Sequence, residues 1–443
     1  MFACGLAKII YTFYSDENHN KLKVFNSNIF TSILLGSLGC LVFYPFIDFI
    51  STFFGNPYLS NFLYIYLLSI PFSIFYLSLD STLIFFDKVK VSAKILVYSN
   101  ILKIGLVFFS LQFFNSLTLV FFSLLFIPIF QCFIALININ PILKISYKYC
   151  DFNLIKNQLT FGFPLGVTAI IGVVYKSTDS IMISNLLSVS DYAIYRNGAF
   201  EIPFLATLYS SIGAIVLPSI SKLFHKKKFH DILVLKRRII SNTFAIIFPM
   251  VLFISYYSND LITTYLSAKY VDSAAIFSIF SLLLLVRIND YEDILIVAKK
   301  GRIILYIYLV AFFINLLMNY ILIIKIGVLG AAISTVLTMF LISIISINIS
   351  SKIIGYSFSD FFNFSKIFKT ARIFIISFVC FLFMNNFLIE DINIFIKFFV
   401  YLFLTLFLTI RFRLIEISII KNVITSIPFF GIYLLKILYK IIK

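Results

Sequence analysis

The sequence predicts an all-α, polytopic membrane protein. Three observations carry that reading: charge-free stretches too long for a soluble core, a composition to match, and basic residues confined to alternate loops. Residues 26–47, 56–79, 239–259 and 303–324 carry no charge. A membrane-crossing helix needs about 20 mostly apolar residues. Hydrophobic residues make up 61% of the 443 and charged ones 12%, against about 25% charged in a globular domain.

Taken in order, residues 1–14 are apolar but only half a span long. Spans follow near 28–54, 60–86, 95–114 and 117–139. Six more fall near 158–186, 192–217, 239–260, 273–296, 303–324 and 328–350, and a last pair near 372–388 and 392–410. The tail 418–441 is apolar but interrupted by Lys421, Pro428 and Lys436. Its lysines suit headgroup level, so it is read as an interfacial helix. Alternation of charge tests the list. One set of loops holds Lys21 and Lys23, Lys88 to Lys94, Lys144 to Lys156, Lys222 to Arg238, Lys299 to Arg302, Lys352 to Arg372, and Arg411 with Arg413. The intervening turns hold only Lys269 and Lys325 as basic residues. Lys and Arg collect on the cytoplasmic side, so the first set faces the cytoplasm.

Composition also excludes. The net charge of +17 would suggest nucleic acid in a soluble chain, but cytoplasmic loops account for it here, and no nucleic-acid partner is expected. Cys4, Cys40, Cys132, Cys150 and Cys380 are scattered and form neither a metal motif nor a disulfide framework. No phosphate-binding loop for ATP is present in the sequence. No cofactor, metal or catalytic residue is indicated, and the chain reads as a non-enzyme.

Ionisable residues inside spans are the sharpest functional signal. A charge at a helix centre costs about 2.5–3.5 kcal/mol on insertion scales and tends to face a bundle interior or water. Lys103 is the deepest and has no acid nearby in sequence. Lys176 and Asp179 share a face of 158–186; Arg196 and Glu201 lie in the outer half of 192–217; Arg287, Asp290 and Asp293 step by three along 273–296. Each has a plainer reading. Arg196, Asp48 and Lys397 are near enough to helix ends to snorkel. Lys176 with Asp179, and Arg287 with Asp290, are as well placed for neutralising pairs. The second half has more acids than bases, five to three, counting Glu292, which points to a mixed cavity. Pro45, Pro71, Pro128, Pro164, Pro203 and Pro249 fall inside spans and can kink them.

Two patterns carry a family resemblance. One runs from Leu159-Thr160-Phe161-Gly162-Phe163-Pro164 through Asp179-Ser180-Ile181-Met182-Ile183 and Asp191-Tyr192-Ala193-Ile194-Tyr195-Arg196 to Leu217-Pro218-Ser219. The other is Gly327-Val328-Leu329-Gly330-Ala331-Ala332-Ile333-Ser334-Thr335, whose small residues let helices approach closely. Together they resemble the polysaccharide flippase family, the O-antigen and capsule repeat-unit exporters of the multidrug/oligosaccharidyl-lipid/polysaccharide (MOP) superfamily. That resemblance implies a two-lobe bundle of about 12 transmembrane helices, with an N-lobe at 1–156, a C-lobe at 157–352 and additional helices at 353–443. It implies a first lobe truncated at its N-terminus, since only four full spans precede residue 157.

The resemblance further implies a multi-pass protein of the bacterial inner membrane. Its cargo would be an undecaprenyl-pyrophosphate-linked oligosaccharide, flipped by alternating access and coupled to H+ or Na+. Membrane lipid and a polysaccharide polymerase would be its partners. On that reading Lys103, Lys176, Arg196 and Arg287 hold phosphate. Asp179, Asp290 and Asp293 bind sugar hydroxyls or the coupling cation, and Glu201 completes the site. Three alternatives remain: a drug/cation antiporter of the same superfamily, a membrane-embedded polymerase or ligase, and a nonfunctional remnant. The polymerase reading is weakened by the short outward turns and by His19, His225 and His230 all lying in cytoplasmic loops.

Overall fold

The structure is a computed structural model that describes residues 5–53, 56–200, 202, 213, 216–385 and 393–415. Among them are ten helices long and apolar enough to cross a membrane. The first five are Lys21–Thr52, Leu59–Phe85, Val89–Gln112, Leu117–Ile139 and Phe152–Leu186. The others are Phe229–Tyr256, Gly301–Ile326, Val328–Ile354, Phe364–Met384 and Ile394–Arg411. Each coincides with an expected span. No strand is found among the described residues. The tail 418–441 lies outside them.

Two expected spans do not form single membrane-length helices. The one at 192–217 stops at Gly198, and Ala199 and Phe200 leave the helix. A Cβ on Gly198 would sit 2.5 Å from the Ser273 carbonyl oxygen, so the backbones touch there. The one at 273–296 divides into Ser273–Val286 and a short helix Asp293–Val297. Polar groups explain that break. Lys236, itself buried, donates from Nζ to Asn289 Oδ1 at 3.1 Å and to the Asp290 carbonyl at 2.6 Å. The Glu292 N–H bonds back to Asp290 Oδ1 at 3.2 Å. Such bonds offer the backbone an alternative to the helical ladder. Arg287, Asp290 and Asp293 therefore do not form a helical stripe.

The chain falls into two compact units. The first comprises residues 1–172, 214–228 and 293–306. Its helix Leu6–Ser15 is buried through Ile9, Ile10, Phe13 and Tyr14. Tyr14 stacks on Phe85 with ring centroids 4.9 Å apart and bonds Thr82 at 3.1 Å. Neutral polar groups join the spans: Asn28 with Ser78, Thr31 donating to Gln158 at 3.1 Å, and Gln131 donating to Ser99 at 2.7 Å. Proline acts as expected at Pro71. It deprives the Leu67 carbonyl of its helical partner, the helix breaks at Leu68, and the Cys40 thiol donates to that carbonyl at 3.1 Å.

The second unit comprises residues 173–213, 229–292 and 307–443. One core joins Ile183, Tyr195, Ile276, Ile323, Ala331 and Ala332. An aromatic core joins Phe253, Tyr257, Phe378, Phe381 and Tyr401. The small residues at 327–332 do bring two helices together. Gly327 takes φ +64°, and a Cβ on Gly330 would fall 2.3 Å from the Leu322 carbonyl group. Lys397 does not snorkel: its side chain is buried, with the ammonium 6.0 Å from the Tyr257 ring.

Candidate functional site

The second unit holds a cavity of about 340 Å³ between its membrane helices. Lys176 and Asp179 come to it from Phe152–Leu186, Arg196 from the last turn of Val189–Gly198, and Arg287 from the C-terminal cap of Ser273–Val286. Thr335 and Met339 close it from Val328–Ile354. These residues sit seven to fourteen positions from the helix ends at the 186–192, 260–272 and 324–328 turns, which places the cavity roughly 10–20 Å from those ends.

Asp179 is the organising group. It is 3% exposed. Its Oδ2 accepts from the Tyr195 hydroxyl at 2.6 Å and the Thr335 hydroxyl at 2.5 Å, and its Oδ1 accepts from the Asn319 amide at 2.6 Å. Behind it the Asn319 amide also donates to Asn315 Oδ1 at 3.1 Å, and the Asn315 amide to Ser334 at 3.2 Å. Tyr175 donates to the Thr335 carbonyl at 3.2 Å. Four helices thus meet on one carboxylate. A buried ion needs such donors, because desolvation alone would cost several kcal/mol.

Four of the expected site residues, Lys176, Asp179, Arg196 and Arg287, line this one cavity. Among the described residues the lining carries three cations, Lys176, Arg196 and Arg287, and one carboxylate, Asp179. Asp290 and Asp293 do not line it; Asp290 lies in the break after Arg287 and Asp293 is buried. Lys103 belongs to the first unit, exposed on Val89–Gln112 between the exposed Ile101 and Ile104. Glu201 lies outside the described residues. Sequence reasoning missed Tyr195, Asn315, Asn319 and Thr335. A signal existed: Asn315 and Asn319 are one turn apart in an otherwise apolar run, and Tyr195 and Thr335 sit inside the two quoted patterns.

Comparison with known proteins agrees with this architecture. A MATE transporter in a bent conformation superposes with TM-score 0.69 at 13% identity, over 84% of this chain and 85% of that one. An outward-facing multidrug-resistance MATE transporter of the MOP superfamily gives TM-score 0.69 at 13% identity, over 80% and 84%. A MOP-superfamily transporter from Pyrococcus furiosus, described as having a binding pocket of reversed polarity, gives TM-score 0.67 at 14% identity, over 80% and 84%. At such identities the likeness is one of fold, and the fold is that of these membrane transporters. An uncharacterized membrane protein of Methanocaldococcus jannaschii is 24% identical over 209 residues, and the match spans 46% of this chain and 41% of that protein's length. Residues 1–275 match the model of a family described as polysaccharide biosynthesis protein. The match takes in well over half of the chain, including Lys176, Asp179 and Arg196, and the chain belongs to that polysaccharide biosynthesis family.

Proposed function

We propose that this protein flips a lipid-linked oligosaccharide, carried on undecaprenyl pyrophosphate, from the cytoplasmic to the outer leaflet of a bacterial inner membrane. The observation that carries the reading is the cavity itself: three basic side chains and a clamped carboxylate among apolar helices. The barrier to flipping is polar. Each unsatisfied hydroxyl entering hydrocarbon costs several kcal/mol, and a bare pyrophosphate far more. A wet, cationic cavity removes that penalty while the lipid tail stays in the bilayer. Lys176, Arg196 and Arg287 would hold the pyrophosphate, and Asp179 with Thr335 and Asn319 would engage sugar hydroxyls or the coupling H+ or Na+. With the cytoplasm negative, outward passage of an anion is downhill by about 2.3 kcal/mol per charge per 100 mV. A polysaccharide polymerase would take up the delivered unit.

A drug/cation antiporter fits this lining less well, because a cationic substrate would meet three like charges. The Pyrococcus furiosus relative of the same fold, whose reversed pocket polarity has been taken to suggest a different function, shows that pocket polarity varies within this architecture.

The test is reconstitution. Vesicles containing the protein and a fluorescent undecaprenyl-pyrophosphate oligosaccharide are treated with a membrane-impermeant quencher. Quenching that proceeds past the outer-leaflet fraction is the expected result. Arg196→Gln with Arg287→Gln should slow it by about tenfold or more, equivalent to at least about 1.4 kcal/mol of barrier. Equal rates in protein-free vesicles, or an unaffected double variant, would refute the proposal.

A further inference from the structure

The first unit contains a second cavity, of about 560 Å³, that the transport reading does not use. It opens where two helices begin on the cytoplasmic side, Phe152–Leu186 and Gly301–Ile326. Its composition is divided. Phe13, Phe161, Pro164 and Ile303 supply apolar wall, while Lys299, Lys300 and Arg302 supply three positive charges. Among the described residues no carboxylate lines it. Residues 157–164 face it over two turns, so it descends about 10 Å along the helix.

The three cations are not equivalent. Lys299 is already engaged, its Nζ 3.5 Å from Asp16 and 5.0 Å from the Phe13 ring centroid. Its backbone takes φ 57°, closing the turn after Asp293–Val297 through Lys299 N–H to Ile296 and Lys300 N–H to Leu295. Lys300 and Arg302 are exposed, and among the described residues neither has a carboxylate partner. Asn157 and Thr160 add polar groups on the opposite wall.

We infer that this cavity is a binding site for the phosphate headgroup of a lipid in the cytoplasmic leaflet, with the phosphate on Lys300 and Arg302 and the stem of the lipid against Phe161, Pro164 and Ile303. The chemistry follows from the division of the walls. A free inorganic anion has no use for an apolar floor, and an uncharged lipid has none for a cationic rim. Basic pockets beside cytoplasmic helix ends suit anionic headgroups for this reason. The inference is independent of what the other cavity carries.

The full chain in phosphatidylcholine nanodiscs is supplied with a minor fraction of phosphatidylglycerol or, in a second arm, of polyprenyl phosphate, and retained lipid is read by native mass spectrometry. Retention of either phosphate lipid over phosphatidylcholine is expected, and which arm binds identifies the source. Lys300→Gln with Arg302→Gln should lower retention by about tenfold or more. Thr160→Trp, which fills the cavity and leaves every charge in place, should lower it comparably. The control pair Lys90→Gln and Lys94→Gln, also basic and cytoplasmic but outside the cavity, should leave it within about twofold. Equal loss in the control pair would reduce the effect to general surface charge and overturn the site. So would full retention by Thr160→Trp, failure of both lipids to bind, or displacement by inorganic phosphate at equal concentration.

Discussion

The two units solve the problem of polar groups in a bilayer differently. Between its spans the first unit relies mainly on neutral pairs, Asn28 with Ser78, Thr31 with Gln158 and Gln131 with Ser99; its carboxylate Asp80, which accepts from Ser92 at 2.5 Å, sits near a helix end, and the Lys299–Asp16 ion pair lies at helix ends too. The second places Lys176, Asp179, Arg196 and Arg287 around one cavity well inside its helices. A neutral pair contributes about 1 kcal/mol and can be lost singly. A buried carboxylate held by three donors cannot: removing one partner leaves the rest uncompensated. The contrast teaches where change is tolerated. The first unit should degrade gradually under substitution, and the second should fail at a few positions.

The largest effect should therefore come at Asp179. Asp179→Ala strands the Tyr195 and Thr335 hydroxyls and the Asn319 amide, at a cost of about 3 kcal/mol or more. A large drop in thermal stability of the purified protein is expected, with Asp179→Asn falling between. Near-native stability of the alanine variant would erase the contrast. Next come the cations, which should separate by unit. Arg196→Gln and Arg287→Gln should fold normally and flip slowly, whereas Lys103→Gln, exposed and outside the second unit's cavity, should flip near the native rate. A collapse at Lys103 instead would put functional charge in the first unit. Smaller still is Thr31→Val, which removes one neutral bond to Gln158 and should cost about 1 kcal/mol, measured by the same thermal unfolding.

The membrane spans were legible because they are a one-dimensional property: the length of an apolar run can be counted along the chain. The cavity was only partly so. Lys176, Asp179, Arg196 and Arg287 announced themselves as charges in apolar runs, but nothing in sequence says that three helices bring them together. Lys103 shows the limit. Depth within a span does not reveal what a side chain meets: Lys103 is exposed in the structure, beside the exposed Ile101 and Ile104, and does not line the second unit's cavity. The break at 287–292 was hidden because its stabilising partner, Lys236, lies more than fifty residues away. Asn315 and Asn319 were readable in principle, as paired amides one turn apart, but they carry no charge and so escaped a search for charges.

The smallest effect is a pH response confined to the first unit's cytoplasmic face. Burial pushes the His225 ring below its ordinary value of 6.5, opposed by the Asp16 charge and reinforced by that of Lys299. For a histidine shifted downward, the unfolded chain binds the proton first. Stability is thus fully present above about pH 6.5 and falls as the pH drops through the interval down to the folded-state value. Asp16 contributes nothing to that window. Burial raises it, but the Asn18 backbone N–H and the Lys299 charge more than offset this, so its stabilising effect persists until the pH falls below the ordinary carboxylate value of 3.8. Between pH 7.5 and 5.5 the melting temperature should decline by a few degrees at most, and His225→Phe should flatten the decline. A decline that survives the substitution would rule out His225 as its source.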